Sequence, residues 1–261
     1  MTPHLRPGNI AKTDFLRLAK AILTLLASTT QQTPIAQPAI LSNQHADIGV
    51  GYEDGRLIPH VHDESSDMEH KPSEALLQVG IESATVVPAD ARFSFLGTPG
   101  SRIFLLPQNQ HPNLLFLGLA AEEIEKGVFD GDAIRLNLRS VKGPGDFYLY
   151  RTSGILGNPV ITFNSSDGLS SEDSVLVPAG SHSDFNWAFT QPGDYSISID
   201  ATGILAADRS AISSGNVDFH FQVIPEPDSW LLFMLGACTT PGVRSRIRKG
   251  FLMGMRKEGA K

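Results

Sequence analysis

Residues 45–64, "HADIGVGYEDGRLIPHVHDE", decide how the chain is read. Apolar and polar residues alternate on both sides of Asp54-Gly55, the pattern of two half-buried strands joined by a tight turn. Asp-Gly favours a two-residue type I′ loop, in which both central residues take positive φ. That turn sets the register. Glu53 faces Arg56, Gly49 faces His60, Asp47 faces His62 and His45 faces Glu64. Side chains alternate along a strand, so His45, Asp47, His60, His62 and Glu64 share one face. Ile48, Val50 and Tyr52 lie against Leu57, Pro59 and Val61 on the other, the expected core side. Ile58 is an apolar residue that falls on the polar face.

The rest of the central region, residues 37–224, also reads as strands. Short β-branched or aromatic runs recur between glycine and proline, the pattern of a sandwich or barrel. "RFSFLG", "SRIFLLPQ", "GDFYLYR", "PVITFNS", "DYSISIDATG" and "VDFHFQV" are examples. In "DAIRLNLRSV", Ile134, Leu136 and Leu138 take one face and Arg135, Asn137 and Arg139 the other. Two turns, "GPGDFYLY" at 143–150 and "QPGDYSIS" at 191–198, enter strands through Pro-Gly-Asp and an aromatic residue. A tyrosine beside such a turn can anchor the corner of an immunoglobulin-like sandwich. The expected fold is therefore all-β, an immunoglobulin-like or jelly-roll-type antiparallel β-sandwich. A short helix is expected near residues 119–127, "LAAEEIEKG", with Gly127 as its stop. Helical segments are expected in both tails.

The tails read as addresses. Residues 1–36 have a basic start (Arg6, Lys12, Arg17, Lys20), a short apolar run at 21–27 and small residues after it, the parts of a secretory signal peptide. Residues 225–250 order Pro225-Glu226-Pro227, an apolar run from Trp230 to Val243, and Arg244, Arg246, Arg248 and Lys249. A short apolar segment with a basic flank reads as a membrane anchor with a cytoplasmic C-terminus. Its length falls short of the ~20 residues of a full span. A tail follows at 251–261. The central region carries 10 Lys and Arg against 24 Asp and Glu, a net charge of −14. Nucleic acid is therefore not an expected partner, because binding it needs a basic face. The single cysteine, Cys238, lies in the C-terminal tail, so the folded region contains neither disulfide nor thiol.

These blocks resemble a known family. "HADIGVGYEDGRLIPHVHDE", "FSFLGTPGSRIFLLPQNQHPNLLFLGLAAEEI", "GVFDGDAIRLNLRSVKGPGDFYLY" and "SSDGLSSEDSVLVPAGSHSDFNWAFTQPGDYSISIDATG" are similar to the choice-of-anchor M domain, also called the actinobacterial surface-anchored protein domain. The resemblance covers roughly residues 42–224. The order of features in residues 225–250 resembles the PEP-CTERM sorting signal, one of that family's interchangeable anchors. The resemblance implies export, anchoring at the cell surface or outer envelope, and processing by an exosortase-type enzyme after the secretion machinery. It implies no catalytic activity, and it implies a link to metals. Family members usually read His-x-His-x-Asn-Trp where this chain has "HSDFNW", so Asp184 stands in the place of a second histidine. A carboxylate there tilts the site toward harder ions.

"SHSDFNWAF" repeats the logic of the hairpin. His182, Asp184 and Asn186 alternate with Ser183, Phe185 and Trp187, which places the polar set outward and the aromatics inward. If this strand lies near the hairpin, His45, Asp47, His60, His62, His182 and Asp184 form a candidate site for zinc, manganese or another divalent transition metal. A polar strand face that only meets solvent would look the same. Three readings follow. The first is an exported, surface-anchored binding protein that is not an enzyme. The second is a structural component of the envelope or an exopolysaccharide matrix, without metal. The third is a metal-dependent hydrolase with Glu64 as general base. No Gly-x-Ser-x-Gly elbow is present. "SSDGLSSED" and "FDGDAI" lack the ligand spacing of a calcium loop and read as turns.

Overall fold

The structure, a computed structural model, describes residues 37–154 and 157–225. The expected signal, the expected anchor beyond Pro225, the expected helical tails and Cys238 lie outside the described residues. Among the described residues sixteen strands follow one another in chain order. The first eight are β1 (Ala39–Leu41), β2 (His45–Glu53), β3 (Arg56–Asp63), β4 (Met68–His70), β5 (Ala75–Val79), β6 (Ala84–Val86), β7 (Arg102–Leu106) and β8 (Phe116–Ala120). The second eight are β9 (Ala133–Lys142), β10 (Phe147–Ser153), β11 (Asn158–Asn164), β12 (Ser174–Pro178), β13 (His182–Asp184), β14 (Asn186–Phe189), β15 (Gly193–Ile204) and β16 (Ala211–Val223).

They form three sheets, ordered β1-β5-β16-β15-β9-β12, β11-β10-β14-β7-β6 and β13-β8-β2-β3-β4. The all-β class is as expected. Two details differ from an antiparallel sandwich with a short helix. First, two of the three sheets are mixed: β1–β5 and β5–β16 pair in parallel in the first and β2–β8 in the third, while the second is wholly antiparallel. Second, residues 119–127 are not a helix. Phe116–Ala120 is a strand, and the chain then turns, with the Ile124 N–H donating to the Ala121 carbonyl at 3.1 Å. The apolar spacing that suggested a helix instead fills a strand interior. Leu117 and Leu119 are fully buried, and β8 is hydrogen-bonded on both edges, to β2 and β13. "RFSFLG" also departs from its reading as a strand. Residues Ala91–Leu96 form a 3₁₀ helix whose Phe93 and Phe95 pack on Tyr148 and Tyr150 of β10.

The hairpin register is the one set by Asp54-Gly55. Asp54 has φ 49° and Gly55 φ 76°, as a type I′ loop requires. Asp47 pairs with His62, Gly49 with His60 and Glu53 with Arg56. Ile48, Val50, Leu57 and Val61 enter a core shared by all three sheets, with Phe104, Phe147 and Trp187 from the second and Ile197 and Phe219 from the first. Tyr195 anchors its corner. Its hydroxyl donates to the Gln191 carbonyl at 2.8 Å, and its ring lies where a Cβ on Gly143 would stand.

Phe185 marks the point where the chain changes sheets. β13 pairs with β8, whereas β14 pairs with β7 and β10. Phe185 and Trp187 are buried, and the Trp187 indole N–H donates to the Leu117 carbonyl of β8 at 2.8 Å. The buried aromatics of "SHSDFNWAF" thereby hold His182 and Asp184 against the sheet that carries the hairpin.

Candidate metal centre

Strand pairing places the candidate residues in rows on one face of the sheet β13-β8-β2-β3-β4. Asp184, Gly118, Asp47, His62 and Glu69 form one row of lateral neighbours, each paired with the next. His182, Ala120, Gly49 and His60 form the adjacent row. His45 pairs with Phe116 on one side and accepts the Glu64 N–H at its carbonyl on the other. Laterally paired residues project to the same side. His45, Asp47, His60, His62, His182 and Asp184 therefore share a face, as the alternation required.

They do not converge on one point. His45, Asp47, His182 and Asp184 gather over Gly118. The His45 Nε2 lies 4.0 Å from Asp47 Oδ1 and 3.9 Å from Asp184 Oδ1. The His182 Nδ1 lies 4.0 Å from Asp47 Oδ2 and 2.8 Å from Glu122 Oε1. A Cβ on residue 118 would stand 2.2 Å from Asp47 Oδ1 and 3.3 Å from Asp184 Oδ1, so only glycine leaves this room. His60 and His62 gather elsewhere. His60 Nε2 is 3.0 Å from Glu123 Oε1, and its ring and Glu123 lie over Gly49 and Gly51. His62 Nδ1 is 3.0 Å from Glu64 Oε1, and Nε2 is 3.4 Å from Asp67 Oδ1.

Nor is the whole of this face open to solvent, as its polarity suggested: His45, His62, His182 and Asp184 are partly exposed, but its centre is closed. Asp47 is fully buried and His60 is 5 % exposed. The turn after β8 covers them, because Glu122 and Glu123 reach back over the sheet. A buried polar atom is ordinarily hydrogen-bonded. Among the described residues seven buried side-chain polar atoms are not, and six belong to this face: His45 Nε2, both Asp47 oxygens, His60 Nε2, Glu64 Oε1 and Asp184 Oδ1. Leaving a buried charged acceptor unsatisfied costs several kcal/mol unless a proton or cation compensates.

The electrostatics agree. Burial pushes the Asp47 carboxyl up from an ordinary 3.8 to about 7; His182 pulls it down, while Glu64, Glu122 and Asp184 push it further up. Burial also raises the Glu123 carboxyl, against the pull of His60. For His182, burial disfavours the imidazolium, but the hydrogen bond to Glu122 and the charges of Asp47, Glu122 and Asp184 outweigh it and hold the ring above its usual value. This is a concentration of negative charge in a low-dielectric setting, with imidazoles interleaved.

His45, His182 and Asp184 offer ligand atoms within 4.8 Å of one another, and so do Asp47, Glu122 and His182. Bonds of about 2.0–2.2 Å put tetrahedral ligand atoms about 3.4 Å apart. Closing either triad on an ion would draw its ligand atoms together by up to about 1.4 Å.

Glu69, Glu122 and Glu123 had no place in the sequence reading. The helix assigned to 119–127 hid the two neighbouring glutamates, and Glu69 belongs to a short strand with no alternation of its own. The glycines did leave a signal. Gly49 and Gly51 alternate with Ile48 and Val50 on the histidine face, so that face has no side chains of its own at these positions.

Comparison of the chain with protein-family models and with curated proteins returns no match.

Proposed function

We propose that this chain is an exported, envelope-anchored binding protein that holds a divalent transition metal through His45, Asp47, His182 and Asp184, with Glu122 orienting His182. One observation carries the reading. A fully buried carboxylate, Asp47, has neither oxygen hydrogen-bonded, stands between two imidazoles, and occupies a recess that exists because residue 118 is glycine. Two imidazoles and two carboxylates suit zinc or manganese. The hydrogen bond from His182 Nδ1 to Glu122 is the kind of carboxylate support that orients a metal-binding imidazole, and it leaves Nε2 as the nitrogen that would bind the ion. Export and anchoring are supported by the sequence of the two tails and by the resemblance to choice-of-anchor M domains with a PEP-CTERM-like end. An exosortase-type enzyme and an envelope setting follow from that resemblance.

The test is direct. The purified chain is assayed for bound metal, and its thermal midpoint is followed with chelator and with added zinc or manganese. An ion held at 100 times its dissociation constant stabilises by about 2.7 kcal/mol, which raises the midpoint of a chain this size by about 5–10 °C. A chain that carries no metal, and whose midpoint neither ion moves, refutes the proposal and leaves a matrix component stabilised by its polar cluster.

A further inference from the structure

The same face holds a second set of atoms with a different geometry. We propose that His60, Glu69 and Glu123 form a second divalent-cation site, separate from the one over Gly118, so that the domain carries two ions side by side. The two sets share no ligand, and the proposal stands on its own observations.

The first observation concerns the His60 ring. Its Nδ1 is 3.2 Å from the Ile58 carbonyl, an acceptor only, so Nδ1 must carry the hydrogen and donate it. In the neutral ring this leaves Nε2 as a lone pair. A backbone carbonyl holding one imidazole nitrogen is the usual way a protein fixes the tautomer of a metal-binding histidine. Nε2 is buried and has no hydrogen-bond partner, although Glu123 Oε1 is 3.0 Å away. Two acceptors that close repel each other unless positive charge stands between them. A proton on Nε2 would pair the ring with the Glu123 carboxylate as an imidazolium, and a metal ion is the other charge that fits there. A cation placed between the two atoms and slightly to one side satisfies both.

The second observation is the third ligand. Glu69 is the lateral partner of His62 on β4, and its carboxylate, Glu123 and His60 offer oxygens and nitrogen within 4.8 Å of one another. The His60 side chain is 7 % exposed and Glu123 40 %, so the site is walled by protein on the histidine side and open on the carboxylate side. One imidazole and two carboxylates bring a charge of −2, which matches a divalent ion, and leave coordination positions for water. The floor is glycine again: a Cβ on residue 49 would stand 2.4 Å from His60 Nε2, and one on residue 51 would stand 2.8 Å from Glu123 Oε2.

The spacing sets the character of the pair. His60 Nε2 lies over Gly49 and Asp47 Oδ1 over Gly118, which are diagonal neighbours on adjacent strands. Diagonal positions in a sheet are roughly 8 Å apart. Dinuclear hydrolases hold their ions about 3.5–4 Å apart with a shared bridging ligand. Two ions spaced as here act as separate guests, and the turn bearing Glu122 and Glu123 reaches both sites, Glu122 holding His182 of the first and Glu123 serving as a ligand of the second.

The test counts ions. Metal-free full-length chain is loaded with cobalt(II) or zinc(II), freed of excess, and analysed for metal per chain; cobalt adds visible absorption as a signature of each coordination sphere. The expected result is two equivalents in the wild type. His60→Ala/Glu123→Gln keeps one, with the affinity of the first site unchanged, and Asp47→Asn/Asp184→Asn keeps the other. The exposed Glu69→Gln, which leaves the fold alone, weakens only the second equivalent, by about tenfold or more. Two equivalents retained by His60→Ala/Glu123→Gln overturn the proposal. So does a wild type that takes a single equivalent abolished by Asp47→Asn, an outcome that leaves the site over Gly118 standing. A single equivalent abolished by His60→Ala and untouched by Asp47→Asn upholds this site and removes the other. A chain that takes up no ion removes both.

Discussion

Replacing Asp47 by asparagine keeps the shape of the side chain and removes its charge. Burial pushes the folded carboxyl up to about 7, so the folded chain holds this proton more tightly than the unfolded chain does. The stabilisation from that proton is complete below the ordinary carboxylate range and is lost as pH rises through about 7. Without metal, the buried carboxyl therefore destabilises the fold by about 2 kcal/mol at pH 5 and about 4 kcal/mol at pH 8. Glu123 and His182, also raised, act with the same sign. The asparagine amide brings its own burial penalty of about 1–3 kcal/mol. In excess chelator, Asp47→Asn is thus expected to be more stable than the wild type by about 1–3 kcal/mol at pH 8 and nearly equal at pH 5. Urea unfolding at the two pH values measures this. Adding zinc at 100 times the dissociation constant of the site over Gly118 stabilises the wild type by about 2.7 kcal/mol more than the variant, which has lost a ligand of that site, and so cancels or reverses the difference. A metal-free variant less stable than the wild type at pH 8, or equal stabilisation of both by zinc, would refute the reasoning.

Other perturbations follow from the same geometry. Gly118→Ala drives a Cβ to within 2.2 Å of Asp47 Oδ1 and should abolish metal uptake at that site, at an overpacking cost of about 1–3 kcal/mol read from chemical denaturation. Tyr195→Phe removes the hydroxyl that donates to Gln191 and should lower stability by about 1 kcal/mol without touching metal content. Gly55→Val places a β-branched residue at φ 76° and is expected to lower the thermal midpoint by several degrees, since left-handed backbone costs such a residue about 1–2 kcal/mol.

The hairpin was legible because its information is local. Asp54-Gly55 sets a turn, the turn sets the register, and period-two alternation then assigns every side chain from His45 to Glu64 to a face. The sharing of that face with His182 and Asp184 was legible as a condition, met once β13 pairs with β8. What the sequence did not carry is how the face is covered. Alternation distinguishes the two sides of a strand but not solvent from a second polar layer, so Asp47 and His60 read as outward although both are buried. "LAAEEIEKG" shows the limit from the other side. Its apolar spacing fits a helix as well as a strand followed by a turn, and only the two pairing partners of β8 decide between them. The division of the histidines into two groups depends on where Glu122 and Glu123 land, a long-range outcome that no local pattern encodes.

The change of sheet at Phe185 has a mechanical consequence. His45 opens the hairpin near the start of the described fold, whereas His182 and Asp184 arrive on β13 near its end, rigidly continuous with buried Trp187. An ion bound by both would cross-link the chain across more than half its length in a region that has no cysteine. Closing a loop that long is the situation in which a staple restricts the unfolded chain most, by about 4–5 kcal/mol in the loop-entropy account of disulfides. Such a clasp would resist tugging and proteolysis, and it would open when the metal is withdrawn.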